Sequence, residues 1–157
     1  MGGQRWLNIV ENILDPFGAS EVKDYSKLIA EHGLKSIDKN ILSRIKNPNR
    51  FLRRGIDFAH TDFDKFLDAF EKKEPVAIMT GIKPTNEFHL GSKMTAEKII
   101  YFQKEFKAKV FYAVADLEGM VDNGLPLEEQ LKVAINNVAD LLALGLDPKN
   151  AYIYRQS

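Results

Sequence analysis

The second half of the chain alternates between short apolar runs and longer stretches, and this alternation restricts the possible folds more than any other feature. Residues 75–80, 109–115 and 151–154 are apolar runs of the length that forms buried strands. Residues 89–106 and 126–144, which lie between them, are long enough for helices. The order strand, helix, strand, helix, strand predicts a right-handed parallel α/β unit of the Rossmann type, one half of a doubly wound nucleotide-binding sheet.

The second of these helices has the clearest pattern in the chain. Pro126 stands near its first position, and Glu128 and Glu129 in the first turn suit the positive end of the helix dipole. Gly145 ends it. The helical spacing predicts a buried apolar face, which would comprise Leu127, Leu131, Ala134, Ile135, Val138, Leu141 and Leu142.

The first half of the chain is charged, aromatic and irregular. We predict a mostly helical amino-terminal extension over residues 1–74, followed by the first half of a nucleotide-binding catalytic domain over residues 75–157. Helices are expected over residues 25–32, 38–45 and 62–72, the last with Thr61 or Asp62 accepting its free amide hydrogens. Phenylalanines at helical spacing in that last helix indicate a core stripe, namely Phe63, Phe66 and Phe70.

The composition excludes several classes of protein. Of the 157 residues, 45% are hydrophobic and 28% charged, which is a globular composition. The 22 basic and 22 acidic residues cancel, so no charge excess indicates a nucleic-acid or membrane partner. Cysteine is absent, which excludes disulfides, thiolate metal sites and thiol nucleophiles. With no apolar run of bilayer length and no signal-like start, we expect a soluble, cytoplasmic protein.

The segment that carries the chemistry follows the first predicted strand. Ligands of open parallel sheets bind beyond the carboxyl ends of the strands, here after Thr80-Gly81. His89 and Gly91 stand at the start of the next helix, where free amide hydrogens and the helix dipole favour a phosphate. His89 can donate to a phosphate oxygen, or it is an ordinary surface or capping histidine. Glycine has no Cβ and lets a nucleotide lie close to the backbone.

A longer stretch, residues 79–94, reads M-T-G-I-K-P-T-N-E-F-H-L-G-S-K-M and closely resembles the first active-site segment of class I aminoacyl-tRNA synthetases. More narrowly, it is similar to that of the archaeal-type tryptophanyl-tRNA synthetases. The similarity extends over most of the chain and includes residues 15–18, 25–28, 53–60, 115–118, 141–147 and 154–157. A tyrosyl enzyme and a non-catalytic nucleotide-binding module remain alternatives. Phe58-Ala59-His60 and the long leading extension favour tryptophan.

This resemblance implies activation of tryptophan by ATP, supplied with Mg²⁺, and transfer of the tryptophanyl group to its tRNA. It implies that His89 and Ser92 are the catalytic residues and that the protein has no metal site of its own. Ser92 stands where the family's usual second histidine would be, and serine is a shorter, neutral donor. The implied ATP contacts are Thr80, Gly81, Lys83, Pro84, Thr85, His89 and Gly91. The implied amino-acid pocket comprises Met79, Asp116 and Glu118.

Each pocket residue has a simpler alternative. Met79 is equally suited to filling the core, Asp116 to capping a strand end, and Glu118 to being an ordinary loop carboxylate. The family's lysine-rich second motif does not occur in the sequence, and residues 93–97 imitate it only superficially. We therefore expect an amino-terminal fragment that lacks a carboxyl-terminal half, with a homodimer for the complete enzyme.

Overall fold

The computed structural model describes residues 29–30 and 32–157 of the chain. Its elements in chain order are β1 (Lys35–Ser36), α1 (Lys39–Ser43), α2 (Arg50–Arg53), β2 (Ala59–His60), α3 (Phe63–Glu71), β3 (Ala77–Ile82), α4 (Leu90–Phe106), β4 (Lys109–Val114), α5 (Asp116–Asn123), α6 (Leu127–Ala143), a 3-10 turn (Pro148–Asn150) and β5 (Ala151–Arg155). The helix expected over residues 25–32 lies mostly outside the described residues. The sequence patterns did not indicate β1, β2, α2 or α5, because elements this short contain too few residues to establish a hydrophobic period.

Three strands form the parallel sheet, in the order β3-β4-β5. This confirms the predicted α/β unit and the positions of its strands. The first strand runs further than expected, through Gly81 to Ile82. It does so because Gly81 pairs with Ala113 and the Ala115 amide donates to the Ile82 carbonyl at 2.8 Å. The strand ladder therefore extends into the segment expected to bind phosphate.

Among the described elements, the helices cover one face of this sheet and leave the other open. Residues of α4 and α6 pack together against that face in one buried cluster, whose members include Ala96, Ile99, Ile100, Val110, Tyr112 and Leu141. Both crossover helices therefore lie on the same side. The opposite face presents a row of large side chains across the strands, Met79, Phe111 and Tyr152, paired in register. Met79 is 71% and Tyr152 60% exposed.

Helix α6 buries a different face from the one predicted. Ala134 and Leu141 are buried as expected, but Ile135 is 60% exposed, so its prediction was wrong. Leu131 and Leu142 are also exposed. Two amide side chains occupy the inward positions instead, Gln130 and Asn137. Apolar residues flank the true inner face on both sides, and the helical period alone could not show which flank turns inward.

An aromatic cluster joins the first half of the chain to the sheet unit. Phe63, Phe66 and Phe70 of α3 pack against Phe102 and Phe106 of α4, which confirms the core stripe. Ring centroids lie 5.1 Å apart between Phe70 and Phe106. The division at residue 74 stays a prediction, and the cluster spans it.

The residues that precede helices α1 and α3 behave differently from one another. Asp38 caps α1 as its position suggests, accepting from the amides of Asn40 and Ile41. Asp62 makes no capping bond to α3, so that prediction was wrong. The imidazole of His60 accepts the Phe63 amide hydrogen at 3.0 Å instead. Within the described part of the chain, no helix combines the length and hydrophobicity that a bilayer crossing requires.

Helix α4 ends at Phe106, and the next residue, Lys107, caps it with a left-handed backbone at φ 56° and ψ 25°. This conformation crowds the Cβ of any L-residue, whereas glycine adopts it without strain. We predict that Lys107→Gly raises the free energy of unfolding by about 0.5–1 kcal/mol. Lys107→Ala is the matched control, because it removes the same side chain and keeps the strain. Urea denaturation measures both, and an equal gain in the two variants would contradict the prediction.

Candidate nucleotide-binding site

The loop between β3 and α4 is held at several points. Within the loop, Pro84 is fully buried, and the Thr85 amide donates to the Lys83 carbonyl at 2.9 Å. The side-chain amide of Asn137 donates to the Asn86 carbonyl at 3.2 Å. The Lys83 ammonium contacts a carboxylate of α5, Asp122, at 2.6 Å. These contacts fix the loop in front of the sheet edge at which parallel strands end, where ligands of such sheets bind.

His89 caps α4 with one ring nitrogen. Its Nδ1 accepts the Gly91 amide hydrogen at 3.1 Å, from an extended backbone at φ −127°. A Cβ on Gly91 would lie 2.9 Å from the His89 ring, so glycine makes room for this cap. Because Nδ1 accepts, the proton of the neutral ring is on Nε2. The exposed ring can therefore both cap the helix and donate to a ligand.

The other predicted ATP residues lie around the same strand end. Thr80 is half-buried on the covered face with Ile78 and Ile82. Gly81 faces the open side, and a Cβ there would lie 2.3 Å from the Ala113 carbonyl oxygen. The absence of a side chain at Gly81 thus serves strand pairing as well as any ligand. Ser92 is half-buried in the first turn of α4.

Lys93, in the segment that imitates the lysine-rich motif, is bound within its own helix. Its ammonium contacts Glu97 one turn later at 2.5 Å. Arg50 of α2 contacts the same carboxylate. The segment is therefore part of α4 and not a loop of its own.

The predicted amino-acid pocket residues are spread over the sheet and α5. Met79 is exposed on the open face, which excludes the core-filling alternative. Glu118 lies on α5, not in a loop, and lines a shallow depression with Asp122 and Gln156. Since Asp122 also binds Lys83, this depression adjoins the loop that carries the predicted ATP contacts. The fold thus brings the two predicted sets of residues to one edge.

Asp116 is the exception among the pocket residues, because it is 1% exposed. Its Oδ2 accepts from Arg155 Nε at 2.7 Å and from the Ser157 hydroxyl at 2.8 Å. Its Oδ1 accepts from the Ser157 amide at 3.2 Å. Burial by itself raises the pKa of Asp116, but the hydrogen bonds from Ser157 and Arg155 outweigh it and hold that pKa below its ordinary value. Asp116 therefore fixes the segment after β5, including Gln156 of the depression.

Sequence reasoning missed three residues of this edge, Asp122, Gln130 and Asn137. Asp122 sits in a short helix that the patterns did not indicate. The two amides did leave a signal, since they stand seven residues apart in an amphipathic helix and so share one face. Only their contacts show that this face turns toward the site.

The hydrogen bonds that Asp116 accepts from Arg155 and Ser157 predict how the free energy of unfolding depends on pH. Its folded pKa is depressed, so its stabilisation is complete above the unfolded-state pKa of about 3.9 and is lost as pH falls through the lower folded value. At pH 7, Asp116→Asn should lower the free energy of unfolding by about 1.5–3 kcal/mol. The difference from the parent should shrink below about pH 4.

Urea denaturation from pH 7 to pH 2.5 measures this difference. Asp122→Asn on the same helix is the control, because its carboxylate is 52% exposed and an exposed pair contributes at most about 1 kcal/mol. A constant difference between Asp116→Asn and the parent over the whole pH range would contradict the prediction.

Comparison with known proteins identifies the family of this chain. The profile of the family described as tRNA synthetases class I (W and Y) matches residues 71–157, more than half of the chain. The chain is 40% identical over 149 residues to the tryptophan–tRNA ligase of Aeropyrum pernix, covering 92% of this chain and 40% of that protein. It is 38% identical over 142 residues to the tryptophan–tRNA ligase of Archaeoglobus fulgidus, covering 90% of this chain and 33% of the relative.

Solved structures show the same similarity in three dimensions. The crystal structure of tryptophanyl-tRNA synthetase from Aeropyrum pernix superposes with a TM-score of 0.79 at 40% identity, over 91% of this chain and 40% of that one. The Plasmodium falciparum tryptophanyl-tRNA synthetase gives a TM-score of 0.79 at 31% identity, over 84% and 40%. This chain thus spans about 40% or less of the length of these relatives. The chain belongs to the class I tRNA synthetases (W and Y).

Proposed function

We propose that this chain supplies the ATP-binding and tryptophan-binding edge of a tryptophan–tRNA ligase. In the first step the tryptophan carboxylate oxygen attacks the α-phosphorus of ATP, and pyrophosphate leaves with the electron pair of the broken P–O bond. In the second step the tryptophanyl group passes to a terminal ribose hydroxyl of tRNA, and AMP leaves. The names of the relatives, all tryptophan–tRNA ligases, support this assignment.

The single observation that carries the proposal is that the two nitrogens of the His89 ring have different roles. Nδ1 is held by the Gly91 amide, so the ring orientation is set before any ligand arrives. Nε2 carries the proton and is the donor toward a phosphate oxygen. The other amides of the first turn and the helix dipole of α4 favour the same negative charge. Such preorganised donors act on charge that develops in the transition state.

Other residues support the two substrates. Lys83, whose ammonium forms a salt bridge with Asp122, is the cation of the loop, and Ser92 provides a hydroxyl in the first turn of α4. Tryptophan would lie against the open face that bears Met79, within reach of the α5 helix that carries Glu118. Mg²⁺ arrives with the phosphates of ATP. In the described ranges, no three acidic or histidine side chains cluster as metal ligands do.

The complete ligase would also need tRNA, a second subunit and the remainder of the relatives' length, and it would act in the cytoplasm. We expect little or no tRNA charging by the 157-residue chain alone. Adenylate formation needs ATP and tryptophan but no tRNA. It is therefore the step that we assign to this edge of the protein.

Two variants of His89 test the proposal. His89→Asn keeps an acceptor for the Gly91 amide, so the helix cap and the stability should be retained. It places no donor where Nε2 lies, so tryptophan-dependent exchange of labelled pyrophosphate into ATP should fall by about 10²–10³. His89→Ala should lose the same activity and also about 1 kcal/mol of stability.

The exchange is measured for the chain alone and after addition of the separately produced carboxyl-terminal part of a relative. His60→Asn is the control variant, because His60 caps a different helix, α3, and is not one of the predicted site residues. Exchange that tyrosine stimulates and tryptophan does not would assign the chain to the tyrosyl enzymes. Retained exchange in His89→Asn would refute the role of Nε2.

A further inference from the structure

Helix α6 buries two amide side chains on its inner face, a position that apolar side chains usually occupy. Gln130 is 1% and Asn137 0% exposed, on the same face as the buried Ala134 and Leu141. A buried amide is destabilising unless it is fully hydrogen-bonded, and each of these two has its side-chain oxygen buried with no hydrogen-bond partner among the described residues. Leucine or methionine would fill the same space without that cost. The amide nitrogens must therefore serve the groups that they contact.

Gln130 contacts the α5 side of the site. Its Nε2 donates to the Asp116 carbonyl at 3.0 Å and to the Leu125 carbonyl at 2.9 Å, so one side chain ties the two ends of α5. Its Oε1 lies against Gly119 of α5, where a Cβ would be only 2.0 Å away. Helix α5 can approach α6 this closely only because residue 119 is glycine.

Asn137 contacts the other side of the site. Two helical turns after Gln130, its Nδ2 donates to the Asn86 carbonyl in the loop between β3 and α4. That carbonyl lies three residues before His89. The acceptors of Gln130 and Asn137 are all backbone carbonyls, so their positions assign the nitrogen of each amide.

We infer that Gln130 and Asn137 are positioning residues, one for each half of the site. Asn137 sets the loop that presents His89 to ATP, and Gln130 sets the helix that presents Glu118 to the amino acid. Helix α6 thereby fixes the distance between the two substrates without touching either. The ligands named here rest on the proposed function, whereas the control of the β3–α4 loop and of α5 by α6 does not.

Apolar replacements of similar shape separate positioning from stability. Asn137→Leu and Gln130→Met remove the donors and bury no new charge, and Asn136→Ala changes an exposed amide of the same helix. Amide hydrogen exchange of the ligand-free protein is the first readout. In Asn137→Leu the Thr85 amide should exchange up to about tenfold faster, while the Leu125 amide is unchanged. Gln130→Met should give the reverse, and Asn136→Ala neither effect.

Ligand affinity is the second readout. It is measured by NMR titration with ATP and with tryptophan. Asn137→Leu should weaken ATP binding by roughly three- to tenfold and leave tryptophan binding unchanged, and Gln130→Met should do the opposite. Urea denaturation should show no loss of stability that explains either change. If Asn137→Leu does not fold, Asn137→Ala removes the donor without adding volume.

The outcomes are distinguishable. Equal acceleration of exchange at the Thr85 and Leu125 amides in either variant overturns the positioning roles. So does the absence of any acceleration in both variants. If the parent chain binds neither ligand, the proposed function fails, and the exchange pattern still decides the roles of Gln130 and Asn137. Loop-specific exchange that leaves both affinities unchanged would also overturn the inference, because positioning would then have no consequence for the site.

Gly119→Ala tests the Gln130 contact from its other side. Alanine favours a helix over glycine, but its Cβ would displace the Gln130 amide. The variant should accelerate exchange at the Leu125 amide as Gln130→Met does. Adding Gln130→Ala to Gly119→Ala should remove the strain, so the double variant should be more stable than the sum of the two single changes predicts. Simple additivity would contradict the contact.

Discussion

Parallel pairing of β3, β4 and β5 is the constraint on which the rest of this structure depends. Parallel neighbours need long crossovers, so the chain must return through α4 and through α5 and α6 between strands. All three carboxyl ends then lie at one edge. The segments that leave that edge carry His89, Glu118 and Gln156, which are far apart in sequence, and the ladder alone brings them together.

The proposed site at this edge is surrounded by polar groups that hold its segments in place. His89 gives one nitrogen to the helix, and the proposed function assigns the other to a phosphate. Asp116 uses both carboxylate oxygens on the segment after β5, and the two amides of α6 hold the loops from behind. Groups held in this way keep a fixed orientation, and fixed positioning is a large part of catalysis when a protein does little covalent chemistry itself.

Much of the fold could be predicted from the sequence because its elements are long or strongly patterned. The runs that became β4 and β5, the seventeen-residue helix α4 and the aromatic stripe of α3 were all anticipated. The inner face of α6 was not, since its apolar residues fit two orientations of the helix. Helix α5 was missed because its eight residues show no clear period, and with it the salt bridge from Asp122 to Lys83.

The sequence by itself determined the order of elements and the segment that begins at Met79, because hydrophobic periodicity and a contiguous motif are local properties of the chain. It placed His89 at a helix start, where both a cap and a phosphate donor are possible. The structure shows that the ring caps the helix through Nδ1, a contact between residues two positions apart. Only the tertiary structure decided that Gln130 contacts both ends of α5 and that Asn137 contacts the loop between β3 and α4. These outcomes depend on contacts between residues up to 51 positions apart. No local pattern encodes such contacts, because they exist only once the strands have paired and α6 has packed against them.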